Sequence, residues 1–175
     1  MKFIKKWFKQ NKKVLKFTLL VFVVWQILIA VVIALGVKYF PTSNQYLYTE
    51  KQIVNPSWLW SRANFDGIHY LDIARRGYGV YQQAFFPLYP KLIAFLTPVF
   101  GGQALVAGWV ISLVCFYFSL FFFYKLLALD FSERITKRTL FYLLVFPTTF
   151  FFTTVYTEAL FFLLIIGSFY LARTK

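Results

Sequence analysis

The chain is poor in the residues that usually carry soluble chemistry. Its 175 residues include only six acids, one histidine (His69) and one cysteine (Cys115). A lone thiol set in an apolar run excludes an intrachain disulfide and any cysteine-built metal cluster. There is no glycine-rich phosphate loop, no nucleophile elbow and no zinc-ligand spacing. Those absences argue against ATP-driven transport and metallohydrolysis, and no metal or cofactor is called for. Negative charge is scarce beside 19 Lys and Arg, giving a formal charge of +13. That excess does not indicate nucleic acid. Seven lysines fall within residues 1–16, immediately before an apolar run, where they orient a span and meet anionic lipid headgroups.

What is abundant is hydrocarbon. The chain is 60% hydrophobic and 23% aromatic, with 24 phenylalanines. Uncharged runs long enough to cross a bilayer make it a multi-pass membrane protein, all-α, forming one membrane domain over 1–175. Phe17 to Val37 carries no charge and is bracketed by Lys16 and Lys38, so it is read as the first span. Ala34-Leu-Gly36 loosely resembles a signal cleavage site. The apolar stretch exceeds the ~7–15 residues of a signal h-region, so the span is expected to be retained. Ala104 to Tyr124 is the second span, and the basic segment 125–139 reads as a cytoplasmic loop. Leu140 to Leu171 is apolar apart from Glu158: too long for one crossing and tight for two. Two short spans meeting near 153–158 are expected, giving four in all with a cytoplasmic N terminus.

Residues 38–103 form the extracytoplasmic loop of this scheme. It is aromatic and rich in turn formers (Pro41, Asn44, Asn55-Pro56, Gly77, Gly79). Asn64 as N-cap and Gly77 as stop predict a helix over 65–76. Short juxtamembrane or re-entrant helices are expected after Pro87 and Pro90, because proline interrupts a helix and the piece is too short to span.

The same loop gathers the chemistry. Asp66, His69 and Arg76 fall within a narrow arc of the predicted helix. A carboxylate and an imidazole one turn apart could deprotonate and orient a hydroxyl. Equally, Asp66 could simply complement the helix N-terminus, and His69 could be a polar interface residue. Asp72 and Arg76 stand in an i, i+4 relation that reads most simply as a surface ion pair. Arg75-Arg76 lies on the side where positive residues are uncommon, and a phosphate ligand would explain it. Glu158 is the sharpest outlier, since a carboxylate among phenylalanines must face a polar cavity, a partner or the surface. Phe85-Phe-Pro87 and Pro147 could shape a lipid groove or merely kink helices.

Three blocks, in order, resemble the PIG-V family of GPI mannosyltransferases and their bacterial relatives, within the GT-C superfamily of membrane glycosyltransferases. They are Asn64-Phe-Asp66-Gly-Ile-His69-Tyr-Leu-Asp-Ile-Ala-Arg-Arg-Gly77-Tyr78, Ala84-Phe-Phe-Pro87-Leu-Tyr-Pro90, and Phe146-Pro147 through Tyr156-Thr157-Glu158-Ala159-Leu160. The resemblance implies a polyprenyl-phosphate sugar donor, most simply polyprenyl-phosphate mannose, and transfer on the non-cytoplasmic face of a bacterial plasma membrane. It maps the loop's catalytic base onto Asp66. The acceptor, whether glycan, lipid or protein, stays open. Family members are longer, which implies either an N-terminal fragment with a missing C-terminal half or half of a site that another polypeptide completes. With it, Asp66 and His69 are the expected catalytic residues, Arg75 and Arg76 the phosphate ligands and Glu158 a second acid. The rival is a non-catalytic transporter or scaffold. An enzyme wants Asp66 and Glu158 converging at one membrane face, whereas a transporter wants its acid near the midplane.

Overall fold

The computed structural model describes residues 2–40 and 57–174. The turn formers between Pro41 and Pro56 lie outside the described residues. Every element among those described is helical. Helix α1 (Lys2–Tyr39) is followed by a short α2 (Ser57–Trp60), a 3₁₀ turn, and α3 (Asp66–Arg76). Then come α4 (Leu88–Leu96), α5 (Ala104–Leu127), α6 (Glu133–Val145), a 3₁₀ segment (Pro147–Thr153) and α7 (Glu158–Thr174).

The basic segment and the first apolar run are one continuous helix, because neither contains a residue able to stop it. At 38 residues α1 reaches about 57 Å, well beyond the hydrocarbon layer. Helix α5 is the hub, with α1, α4 and α7 packed on it. Its small residues Ala104, Ala107, Gly108, Ser112, Cys115 and Ser119 are buried and let neighbours approach closely. Among the described residues, two helices are long and apolar enough to cross a membrane, α1 and α5, or three if the last pair counts as one broken span.

That pair breaks between Thr153 and Glu158, within the stretch where the sequence expects two short spans to meet. Helix α6 has 13 residues, about 20 Å, and ends before Pro147, whose ring cannot continue it. The 3₁₀ segment and α7 then meet at an angle of 95°.

The basic segments collect at one end. Lys125 donates to Asn11 Oδ1 at 3.0 Å, Lys13 Nζ lies 3.2 Å from Glu133, and Lys137 pairs with Glu133 at 2.7 Å. Arg173 grips Asp130 through both guanidinium nitrogens. Residues near 11, 125–137 and 173 are thus held together, although they lie far apart in the chain.

Candidate active site

A cavity of about 390 Å³ opens where the start of α3 meets the break before α7. Asp66 and Glu158 both line it, with Ser61, Asn64, Phe65, Phe150, Phe151, Thr154 and Tyr156. Ninety-two residues of sequence separate the two acids, and four contacts bring them together. The Val155 N–H donates to the Arg62 carbonyl at 2.7 Å. Arg62 Nη1 donates to the Thr153 carbonyl at 3.2 Å. The Tyr156 hydroxyl donates to the Asn64 carbonyl at 2.8 Å. Finally, Ser112 donates to the Tyr156 carbonyl at 3.3 Å.

Two glycines make this closeness possible. Val155 is fully buried between α3 and α5. A Cβ on Gly67 would stand 3.1 Å from the Val155 carbonyl oxygen, and one on Gly108 would stand 2.9 Å from Val155 Cγ1. Real Cβ contacts essentially never fall under 3.0 Å, so α5 closes on Val155 because Gly108 carries no side chain, while a side chain at Gly67 would fit only if the Val155 backbone gave way by a few tenths of an ångström.

Arg62, which the sequence reading passed over, is the pin of the assembly. It is buried, and its guanidinium sits 4.6 Å from the centre of the Trp109 ring. Burial lowers its pKa, while Nε has no hydrogen-bond partner among the described residues. A buried charge of this kind is costly. What offsets the cost is the donor it supplies to the broken backbone at Thr153 and its stack on an aromatic face. Its spacing, four residues before Asp66 in a tryptophan-rich stretch, was the only sequence signal.

Helix α3 does not begin as expected. Phe65, not Asn64, precedes its first turn, and no side chain caps it. Phe65 has φ 51° and ψ −121°. It is the first central residue of a turn closed by Gly67 N–H to the Asn64 carbonyl at 3.1 Å, a place that glycine normally fills. Strain of this kind costs about 1–3 kcal/mol. The stop at Gly77 is as the sequence predicted, with φ 79° and its N–H donating to Ile73.

Burial and the neighbouring carboxyls perturb two tyrosines beside the cavity. The Tyr70 hydroxyl is pushed up to about 12, first by burial and then by the charges of Glu158 and Asp66. The Tyr89 hydroxyl is also pushed up, chiefly by burial, and bonds to Ser112 at 2.7 Å and the Gly108 carbonyl at 2.9 Å. Within the cavity wall, Asn64 Oδ1 and Glu158 Oε2 are shielded acceptors with no protein donor among the described residues. Such acceptors suit hydroxyl-bearing ligands.

Other candidates lie elsewhere. His69 does not line the cavity; its ring is 5.0 Å from Phe85 and its Nδ1 is 3.3 Å from Gln82 Nε2. Stacking on Phe85 and the Gln82 contact draw the imidazole toward the turn over 77–85. Arg75 and Arg76 are exposed in the last turn of α3, and Arg76 stands about 15 Å along the axis from Asp66. They are not cavity-lining residues either. Phe85 packs against Tyr70 at 5.1 Å, and its role here is to buttress α3.

A family model described as mannosyltransferase (PIG-V) matches residues 11–174, nearly the whole chain. No curated protein gives a significant match, and no solved structure does.

Proposed function

The chain belongs to the PIG-V mannosyltransferase family, and from that premise we propose that it moves mannose from a polyprenyl-phosphate donor to an acceptor hydroxyl on the non-cytoplasmic side of the membrane. The observation that carries this reading is the shared cavity of Asp66 and Glu158, built from the loop helix and the broken helix pair. A transporter would have no need of two acids from different elements at one end of the bundle.

The reaction is a single displacement. The acceptor oxygen attacks the anomeric carbon while Asp66 takes its proton, and the bond from that carbon to the phosphate oxygen breaks. Polyprenyl phosphate leaves as an anion, which needs electrostatic stabilisation rather than a proton. Glu158, through its unpartnered Oε2, accepts hydrogen bonds from sugar hydroxyls. Arg75 and Arg76, at the far end of α3, take the part of capturing the lipid phosphate as it approaches along the headgroup layer. His69 contributes by fixing the 77–85 turn against α3 rather than by touching the reacting bond.

Sidedness follows from charge. The end holding Lys13, Lys125, Lys137 and Arg173 is read as cytoplasmic, and the cavity lies at the far end of α5 and α7 from it. In this reading α1 and α5 are full crossings. Helix α6 with its 3₁₀ extension covers up to about 34 Å as the third, and α7 is the short fourth.

The test is transfer itself. The purified protein, supplied with any C-terminal partner it requires, should move radiolabelled mannose from polyprenyl-phosphate mannose to acceptor, but not from a nucleotide sugar. Transfer from the nucleotide sugar alone would overturn the donor assignment.

A further inference from the structure

Helix α3 carries the acid assigned as base, yet the residue that precedes it supplies no capping side chain. The N–H groups of its first turn have no partner within the helix and must find an acceptor outside it. One arrives from the break before α7. The Tyr156 hydroxyl donates to the Asn64 carbonyl at 2.8 Å, and the backbone N–H groups of Asp66 and Gly67 hydrogen-bond to the same oxygen. The ring passes close over that turn, its Cε2 3.6 Å from where a Cβ on Gly67 would stand. Tyr156 has little room to shift. It is buried, its ring centre is 5.1 Å from that of Phe151, and its carbonyl accepts from Ser112 at 3.3 Å.

That arrangement bears on what Asp66 can do. A carboxylate in a first turn is drawn to uncapped N–H groups, the structural role that competes with catalysis at this position. Here a phenol oxygen already serves the N–H groups of residues 66 and 67, and Asp66 is among the residues that line the cavity. Tyr156 also stands two residues before Glu158, so one side chain ties the two acidic walls together. We propose that Tyr156 is a positioning residue for the transfer: its hydroxyl caps α3 in place of Asp66 and so holds that carboxylate toward the acceptor. The inference rests on the transferase reading and on Asp66 as its base, and adds the group that sets the base in place.

The experiment follows mannose transfer from polyprenyl-phosphate mannose by wild type, Tyr156→Phe, Asp66→Asn and the double variant, each with any C-terminal partner the protein requires. Phenylalanine keeps the ring and removes only the hydroxyl. Tyr156→Phe should lower kcat about tenfold with donor affinity within about twofold of wild type, because a displaced base slows chemistry and not binding. Its thermal midpoint should fall by only a few degrees, the size of one neutral hydrogen bond. In the Asp66→Asn background the same change should alter the residual rate by less than about twofold, since a residue acting through Asp66 has nothing left to position. A further tenfold loss there would overturn the proposal, marking a structural defect or direct contact with substrate. An unchanged kcat in Tyr156→Phe, or a Tyr156→Phe protein that does not fold, would overturn it too. If wild type transfers mannose and Asp66→Asn is unimpaired, the base assignment and the proposal fail while the transferase reading stands. If wild type transfers nothing from the polyprenyl donor, the transferase reading itself fails and takes the proposal with it.

Discussion

Gly108→Ala is the most direct probe of how the broken segment is held. The added methyl would stand 2.9 Å from Val155 Cγ1 and 3.1 Å from Ile93 Cδ1. The Ile93 methyl ends a flexible side chain and can rotate away. Val155 cannot retreat: its N–H is held by the Arg62 carbonyl at 2.7 Å, and its carbonyl already faces Gly67 at close range. Overpacking of a fixed neighbour costs about 1–3 kcal/mol, a fall in thermal midpoint of roughly 2–10 °C for a chain of this size. Val155→Ala alone removes two methyl groups from a fully buried site and costs about 1–2.5 kcal/mol. Combined, the two changes exchange volume across the same contact. The double variant should therefore recover about 1 kcal/mol or more relative to the sum of the singles. Thermal unfolding in detergent, followed by loss of the monodisperse peak, gives all four corners of the cycle. Additive effects, or a Gly108→Ala variant as stable as wild type, would refute the view that Val155 is clamped between α3 and α5. Because Glu158 lies three residues beyond Val155, activity should fall with the single variants and return in the double.

Two further outcomes are expected. Arg62→Ala should lower stability by about 2–4 kcal/mol, since it removes a hydrogen bond from a charged donor and a desolvated contact with Trp109; an unchanged thermal midpoint would show that apolar packing alone holds the break. For topology, an impermeant thiol reagent on intact cells should label a cysteine placed at exposed Gln83 but not one at exposed Ser132, while native Cys115 is buried and stays silent; the reverse pattern would invert the orientation.

The long elements were legible because their signal is one of exclusion. A run without charge from Phe17 to Val37, or from Ala104 to Tyr124, has few alternatives to a helix in lipid. Helix α3 was readable from its end, since Gly77 must adopt positive φ, but not from its start. Asn64 is the better N-cap by propensity, yet the backbone turns instead at Phe65, where tertiary contacts from Tyr156 hold the Asn64 carbonyl. The stretch over 140–171 was legible in the same partial way. Composition showed that the stretch had to break near 153–158, but not that Pro147 would open a 3₁₀ segment turned by 95° from α7. Glu158 announced itself as a carboxylate among phenylalanines. Arg62 did not, because one arginine in a polar loop looks like any other until Thr153 and Trp109 are seen beside it. The surroundings of His69 were hidden for a related reason: helical spacing puts it near the arc of Asp66, and only the fold shows Phe85 and Gln82 beside its ring.

The central claim is that Asp66 removes the acceptor proton in a cavity it shares with Glu158. The most direct measurement follows labelled mannose from polyprenyl phosphate to acceptor in Asp66→Asn, with donor affinity determined alongside. Asparagine keeps the shape of the side chain but cannot take the proton, so turnover should fall about 10²-fold or more while donor affinity is retained. Asp72→Asn, on the same helix but outside the cavity wall, should transfer at close to the wild-type rate. Near-normal transfer by Asp66→Asn together with an inactive Asp72→Asn would contradict the account and move the base to Asp72.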